Sequence, residues 1–405
     1  MSTAVSLRAI ARQLDDSASL GRAVDDLIAA RAEPPVLFGL GEPTHGIEAF
    51  PLLRNELLAH LVERGYRSII LETDIFAASI VDDYVCGSTT PIDTVLKTGF
   101  SHAFGAVPGN RELVEWLRAH NEDRAPGDRV HFYGFDAPLD QTDVPSPRRS
   151  LCAVSEFLPA TRRPCSTEEL ATLLGDDADW TNPSAIYDPA ESIGAGERAR
   201  TLRVVADDLA SALHRAGPIL RPADPAGYDL AAAHARTVKG LLRFHAAIAS
   251  RATDRIATML GVRAEMMVEN LLAILACERR RGPSLVFAHN VHLQRAQSTM
   301  AVGVQEAQWC GAGALIDRTL GERYVVVATD ANPHSEPDTL HRALAEATDR
   351  RTLFPTSALR AALPPTAAAT PPLVPGHIPV TLATLTTTDA LLFTTDTDGT
   401  RVQYW

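Results

Sequence analysis

The stretch Pro35-Val36-Leu37-Phe38-Gly39-Leu40-Gly41-Glu42-Pro43-Thr44-His45-Gly46 decides how this 405-residue chain is read. Its first half is a short apolar run with no alternation of polar and apolar residues. That is the pattern of a strand covered on both faces, as in a parallel sheet. The second half breaks into glycine, acid, proline and histidine. Two glycines bracket a turn tight enough to bring Glu42 beside His45. Histidine titrates near neutrality and suits general-base work, and a neighbouring carboxylate orients the ring and stabilises its protonated form. A loop histidine at the surface is the plain alternative.

The same apolar pattern recurs outward from this segment. It appears at Ser68-Ile69-Ile70-Leu71, at Val130-His131-Phe132-Tyr133-Gly134-Phe135 and at Ser284-Leu285-Val286-Phe287-Ala288. It returns at Tyr324-Val325-Val326-Val327-Ala328 and Ala390-Leu391-Leu392-Phe393. Helical periodicity fills the gaps from Pro51 to Arg64, Arg111 to His120, His234 to Arg251 and Val262 to Arg280. Strands alternating with helices predict an α/β fold, a mainly parallel sheet flanked by helices. The chain 1–405 reads as one domain. Residues 145–226, rich in Pro, Asp, Ala and Ser and without a strand pattern, read as a helical insertion forming a lid over the cleft. The Pro/Thr/Ala-rich segment Leu363 to Pro375 reads as a loop before the last strand.

The strand ends carry ionisable residues. The first run leads into Glu42 and His45, the second into Glu72 and Asp74, the third into Asp136, and the fourth into His289, Asn290 and His292. Ligands of open α/β sheets bind outside the carboxyl ends of the strands. Parallel strands would therefore gather these groups on one rim. Arg54 falls on the apolar stripe of the following helix, with Leu57 and Leu58 as its neighbours. A buried guanidinium needs an anion, either a substrate or Glu42 or Glu72. Arg263 and Asn270 interrupt a later stripe in the same way.

His289 and His292 have H-x-x-H spacing, which raises the question of a metal. The helical H-E-x-x-H arrangement needs i and i+4, however, and in extended structure these two rings point to opposite faces. His234 and His245 share a stripe with Val238 and Leu241 and read as packing histidines. There is no G-x-S-x-G elbow, Walker loop or G-x-G-x-x-G. The net charge of −12 disfavours nucleic acid and gives no polybasic membrane patch. Five cysteines without a CxxC argue against a disulfide framework or a cysteine zinc site and for a reducing, cytoplasmic setting. No signal core or membrane-length apolar run is present. The oligomeric state is not set by the sequence.

Together these segments resemble the erythromycin esterase family. The resemblance runs through G-E-x-T-H-G, the helix arginine Arg54 and Leu71-Glu72. It continues through Asn110, Glu112 and Trp116-Leu117-Arg118, then Tyr133-Gly134-Phe135-Asp136, and Arg263, Met267 and Asn270. It closes on Ala288-His289-Asn290 with His292, and on Asp389-Ala390-Leu391. It implies a cofactor-free, metal-independent hydrolase of macrolide-like lactones or other esters. By that resemblance His45 is the base, Glu42 and Glu72 orient base or water, and His289 and Arg54 bind substrate or the oxyanion. Arg263, Asp74, His292 and Asp136 join as substrate-binding residues. The histidine loop is also similar to that of ChaN-like and Tiki-like proteins, which implies metal or haem as an alternative. Ala49, Ala264 and Val107-Pro108-Gly109 depart from the family pattern. That keeps acyl transfer, elimination or cyclisation in natural-product chemistry as a further alternative.

Overall fold

Eight strands order themselves as β1-β9-β10-β8-β2-β5-β3-β4 in the computed structural model of the chain, with β6 and β7 forming a separate hairpin. The structure describes residues 3–140, 144–303, 305–332, 335–363, 370–397 and 399–403. The strands are β1 (Arg12–Gln13), β2 (Leu37–Glu42), β3 (Ser68–Asp74), β4 (His131–Asp136) and β5 (Ser284–His289). After them come β6 (Gln297–Val302), β7 (Gln305–Cys310), β8 (Tyr324–Ala331), β9 (Arg351–Pro355) and β10 (Ala390–Thr394).

The central strands β10, β8, β2, β5 and β3 pair in parallel. Every residue of β2, β5, β8 and β10 is buried. This is why their sequences are continuous apolar runs. The fold is α/β, a mostly parallel sheet with helices around it. All six runs read from the sequence are strands. The structure adds three elements that those runs do not mark. The edge strand β1 pairs antiparallel with β9, and β9 antiparallel with β10. The β6/β7 hairpin is mostly polar, with only alternate residues such as Ser298 and Trp309 buried. Such strands carry too little apolar sequence to be seen by periodicity.

Chain order explains where the site falls. β2 runs into the sheet, the chain moves outward to β3 and β4, then returns so that β5 inserts between β2 and β3. From there it crosses β2 to β8 on the other side. The carboxyl ends of β2 and β5 lie at this reversal, the usual ligand position of an open parallel sheet. Register fixes the detail, because Glu42 pairs with His289 and Leu71 with Phe287.

The chain divides into two compact units, Met1–Phe135 with Leu271–Trp405, and Asp136–Asn270. The first holds the sheet and a core built on Phe38, Phe50, Leu58, Ile69, Leu285 and Val325. The second is helical, with Arg148–Phe157, Thr167–Leu174, Glu197–Ala223 and Pro225–Ile248 among its helices, packed through Leu151, Trp180, Leu202, Leu209 and Val238. Helical structure there extends beyond the compositional stretch 145–226. His234 and His245 are packing residues of this unit, buried and bonded to Ser150 and to the Pro145 carbonyl. Of the Leu363 to Pro375 segment, 364–369 lie outside the described residues.

The two glycines of the histidine loop do different work, which corrects their reading as a matched pair. Only Gly46 has a positive φ, 86°, and so makes the turn. Gly41 is a strand residue beneath Asn290, and a Cβ there would stand 2.1 Å from Asn290 Oδ1 and 3.1 Å from its Cα. Gly41→Ala should therefore destabilise the protein by about 1–3 kcal/mol, read as a lower melting temperature. Asn290→Ala in the same chain should restore part of the loss. A Gly41→Ala protein that melts like the wild type would contradict the close approach.

Candidate active site

Glu42 closes β2, and His45 lies one short turn further on. The helix Ala49–Glu63 then begins, two residues before the Pro51 start read from sequence, so Pro51 sits inside its first turn, where proline is tolerated. The loop is tied down from elsewhere in the same unit. Ile378 N–H donates to the Pro43 carbonyl at 3.0 Å and Val402 N–H to the Gly46 carbonyl at 2.8 Å. Arg401 Nε donates to the His45 carbonyl at 3.1 Å. The segment carrying Ile378 is itself pinned to buried Asp330, which binds His341 and His377 at 2.6 and 2.8 Å and accepts from Val380 N–H at 2.6 Å.

His45 Nδ1 is 2.8 Å from Glu42 Oε1. When Glu42 is ionised its carboxylate can only accept, and in that state Nδ1 carries the proton and Nε2 is left as a base. Nε2 faces Glu72, whose Oε1 is 3.8 Å away. Glu72 is shared further, since His292 Nε2 stands 3.2 Å from Oε1 and His289 backbone N–H donates to Oε2 at 2.9 Å. The Phe104 ring packs against the imidazole at 4.8 Å between centroids, and His289 at 5.4 Å. Together Glu42, His45, Arg54, Glu72, Phe104 and Asn110 line one cleft.

Burial sets the charge states. It pushes the Glu42 carboxyl above its ordinary range, a rise opposed by the hydrogen bond and charge of His45. Glu42 Oε2 has no hydrogen-bond partner among the described residues, and neither has His292 Nδ1. Burial, with repulsion from His45, drives His289 down to about 3, so it is neutral at physiological pH. Its Nδ1 accepts from Val291 N–H at 3.2 Å, capping a short helix, and the ring also bonds to the Pro43 carbonyl. That second bond needs an N–H, which assigns the proton to Nε2.

The structure brings Glu42, His45, Glu72, His289, His292 and Arg54 together. The expectation that His289 and His292 face opposite ways is overturned. Asn290–Leu293 is one turn of helix, not extended chain, and the turn swings His292 back onto Glu72. Of the partners expected for Arg54, a substrate anion or Glu42 or Glu72, neither glutamate is hydrogen-bonded to it among the described residues. This buried guanidinium donates to Asn110 Oδ1 at 2.7 Å, to the Gly109 carbonyl at 3.0 Å and to Asn55 Oδ1, and lies 5.0 Å from the Phe287 ring centroid. Burial lowers it to about 9, with the charges of Glu42 and Glu112 resisting, so it remains a cation near neutrality.

Asp74 does not line the cleft. Its carboxylate accepts from Phe76 N–H at 2.7 Å and shapes the turn after β3. Asp136 and Arg263 belong to the helical unit and bind each other at two points, 3.0 and 2.5 Å. Phe104 was missed, having no periodic signal. The positive φ of His102 and Ala103, 56° and 54°, which delivers it to His45, is not visible in the residue types.

A histidine held by a buried glutamate, at the switch point of a parallel sheet and beside a second glutamate and a buried arginine, defines an α/β protein with a cleft of ionisable side chains at its strand ends. The chain belongs to the erythromycin esterase family, whose model matches residues 61–368. The match covers Glu72 and His289 and starts after the His45 loop. Membership supports a hydrolase-type function. A Bacillus cereus protein of known structure is similar at 16% identity, with TM-score 0.70 over 97% of this chain and 96% of that one. A mutant of the erythromycin esterase EreC in its open conformation is similar at 18% identity, TM-score 0.66 and 93% of each chain. A succinoglycan biosynthesis protein is similar at 15% identity and TM-score 0.63, over 97% and 96% of the two chains. At such identities these likenesses show the fold alone. No curated protein matches the chain by sequence. Among the described residues no helix is long and apolar enough to cross a membrane.

A neutral, buried His289 has a measurable consequence. From its ordinary value of 6.5 down to about 3, the unfolded chain binds a proton at this position that the folded chain refuses. The unfolded state then holds more protons, so stability falls as pH drops through that window. His289→Asn, which keeps a capping group for Val291 N–H, should lose less melting temperature between neutral and mildly acidic pH than the wild type. Parallel curves for the two proteins would show that His289 is not held neutral.

Proposed function

We propose that the chain hydrolyses an ester or lactone, with water activated by His45. The observation that carries this reading is the 2.8 Å contact from Glu42 to His45 Nδ1, which leaves Nε2 as a base in a cleft that Glu72 and Arg54 also line. Water attacks the carbonyl carbon while Nε2 takes its proton. The imidazolium so formed is stabilised by Glu42. The carbonyl oxygen becomes an oxyanion within the field of the Arg54 cation, which acts strongly because the site is buried. As the C–O bond breaks, the proton on His45 passes to the leaving alkoxide, giving an acid and an alcohol. Glu72, braced by His289 N–H and His292, orients the attacking water.

Macrolide lactones are one substrate class for such a site, and the family supports testing them first. Ala49, Ala264 and Val107-Pro108-Gly109 alter the family pattern, so the assay extends to other lactones and esters. Hydrolysis of a lactone adds one water to the product mass. A product lighter by one water, or of unchanged mass, would favour elimination or another rearrangement instead.

His45→Ala should reduce turnover by roughly 10²–10⁴-fold with the fold retained. Glu42→Gln should act differently. The glutamine amide donates to Nδ1, forces the proton onto Nε2 and removes the base, so kcat falls by about 10⁴-fold at most while KM changes little. Protonation of Glu42 has the same effect on the tautomer. As pH falls, the wild-type rate should therefore be lost already above the ordinary carboxylate range, because burial raises Glu42. Full activity of His45→Ala on the true substrate would overturn the proposal.

A further inference from the structure

Three ligating side chains stand unused by this chemistry at the other end of the sheet. His131 opens β4, and its backbone N–H donates to the Arg67 carbonyl, next to the start of β3 at Ser68. Glu72 lies four residues further along β3, roughly 13 Å away at about 3.3 Å per residue. Asp82 and Cys86 sit four residues apart, in and at the end of the helix Ala78–Val85, so both face the same way. His131 Nδ1 is 2.9 Å from either Asp82 oxygen and 3.8 Å from Cys86 Sγ. Cys86 Sγ is 3.9 Å from Asp82 Oδ1. Asp82 Oδ1 also accepts from Phe132 N–H at 2.9 Å, which fixes the carboxylate. All three residues are half-buried.

Two ordinary readings can be weighed against this geometry. In a Cys-His-Asp nucleophile the thiol and the acid sit on different ring nitrogens, so that a proton can be relayed between them. Here both converge on Nδ1, which excludes that arrangement. A His–Asp ion pair with the Cys86 thiol donating to Asp82 Oδ1 accounts for the metal-free contacts, and the same S, N and O atoms form a donor set that an ion can take up. Convergence of S, N and O on one point is what an ion requires. Zinc takes S at about 2.3 Å and N and O at about 2.0–2.2 Å in a tetrahedron, which sets its ligand atoms roughly 3.3–3.6 Å apart. The three observed separations each lie about 0.4 Å from that range or closer, within reach of small side-chain rotations.

We propose that Asp82, Cys86 and His131 form a three-ligand site for a zinc-class divalent ion, with the fourth position open to water. Thiolate and imidazole favour zinc or cobalt over magnesium or calcium. Entry of the ion releases the Cys86 thiol proton and the proton shared by His131 and Asp82. It leaves Sγ, Nδ1 and one carboxylate oxygen bound. The ion would link the helix Ala78–Val85 to β4, the last strand on its side of the sheet. The absence of CxxC gave no hint of this site, because its ligands come from a helix and a distant strand. It is independent of the His45 chemistry.

Cobalt titration of the full-length, chelator-stripped, reduced protein tests the site. The thiolate-to-cobalt absorption band should saturate at one ion per chain, vanish in Cys86→Ser and weaken at least tenfold in affinity in His131→Asn. The other four cysteines remain in every variant as an internal control. Zinc should raise the melting temperature of the wild type and leave that of Cys86→Ser unchanged, while the two metal-free proteins melt alike. If Cys86→Ser does not fold, Asp82→Asn replaces it under the same criteria, with the band reduced at least tenfold in affinity. A wild-type protein that binds no more cobalt than the variant, or equal zinc responses in both, overturns the proposal.

Discussion

The register of β2 against β5 is the constraint on which the site depends. Because Glu42 is paired with His289 at the last rung, one carboxylate emerges beside the turn that carries His45 while the next strand delivers a backbone N–H to Glu72. A slip of one residue in either strand would reverse every side chain along it, sending Glu42 or His289 to the opposite face. The fully buried apolar residues of both strands prevent that slip, so the same residues that build the core also set the geometry of the polar rim.

The rim keeps polar groups in places that are unfavourable for folding. Among the described residues Glu42 is buried with one oxygen unpartnered, and Arg54 is buried among neutral amides and a phenyl ring instead of hydrogen-bonded to a carboxylate. Burying such groups without full compensation costs a fold stability, and they persist where the surrounding structure over-determines them. Here that structure is identifiable. The Asp330–His341–His377 cluster anchors one approach to Pro43, and residues 401 and 402 hold the loop carbonyls from another direction. The imidazole of His45 is consequently fixed from its carboxylate side and from its backbone side together.

Much of this was legible in the residues. The six apolar runs mark the strands because two-sided burial demands apolar residues at every position. β1 and β9 are short and the β6/β7 hairpin is largely exposed, so none of them carries a long apolar run and they pass unnoticed. Glu42, His45, Glu72 and His289 could be found because each closes or follows a buried run, where an ionisable residue stands out. Phe104 and Asn55 could not, since one depends on left-handed backbone at His102 and Ala103 and the other on the side chain of Arg54 folding back over it.

By itself the sequence determined the α/β class, the central strands and the polar residues at their ends, for hydrophobic periodicity is local and leaves a direct trace in composition. Tertiary structure alone decided which polar residues share a site. It turned His292 back onto Glu72 through one helical turn, gave Arg54 neutral partners, committed Asp74 to a turn, and set Asp82, Cys86 and His131 together. Those pairings join residues far apart in the chain, and their geometry follows from strand order, register and the conformation of single turns, which no local pattern of residue types encodes.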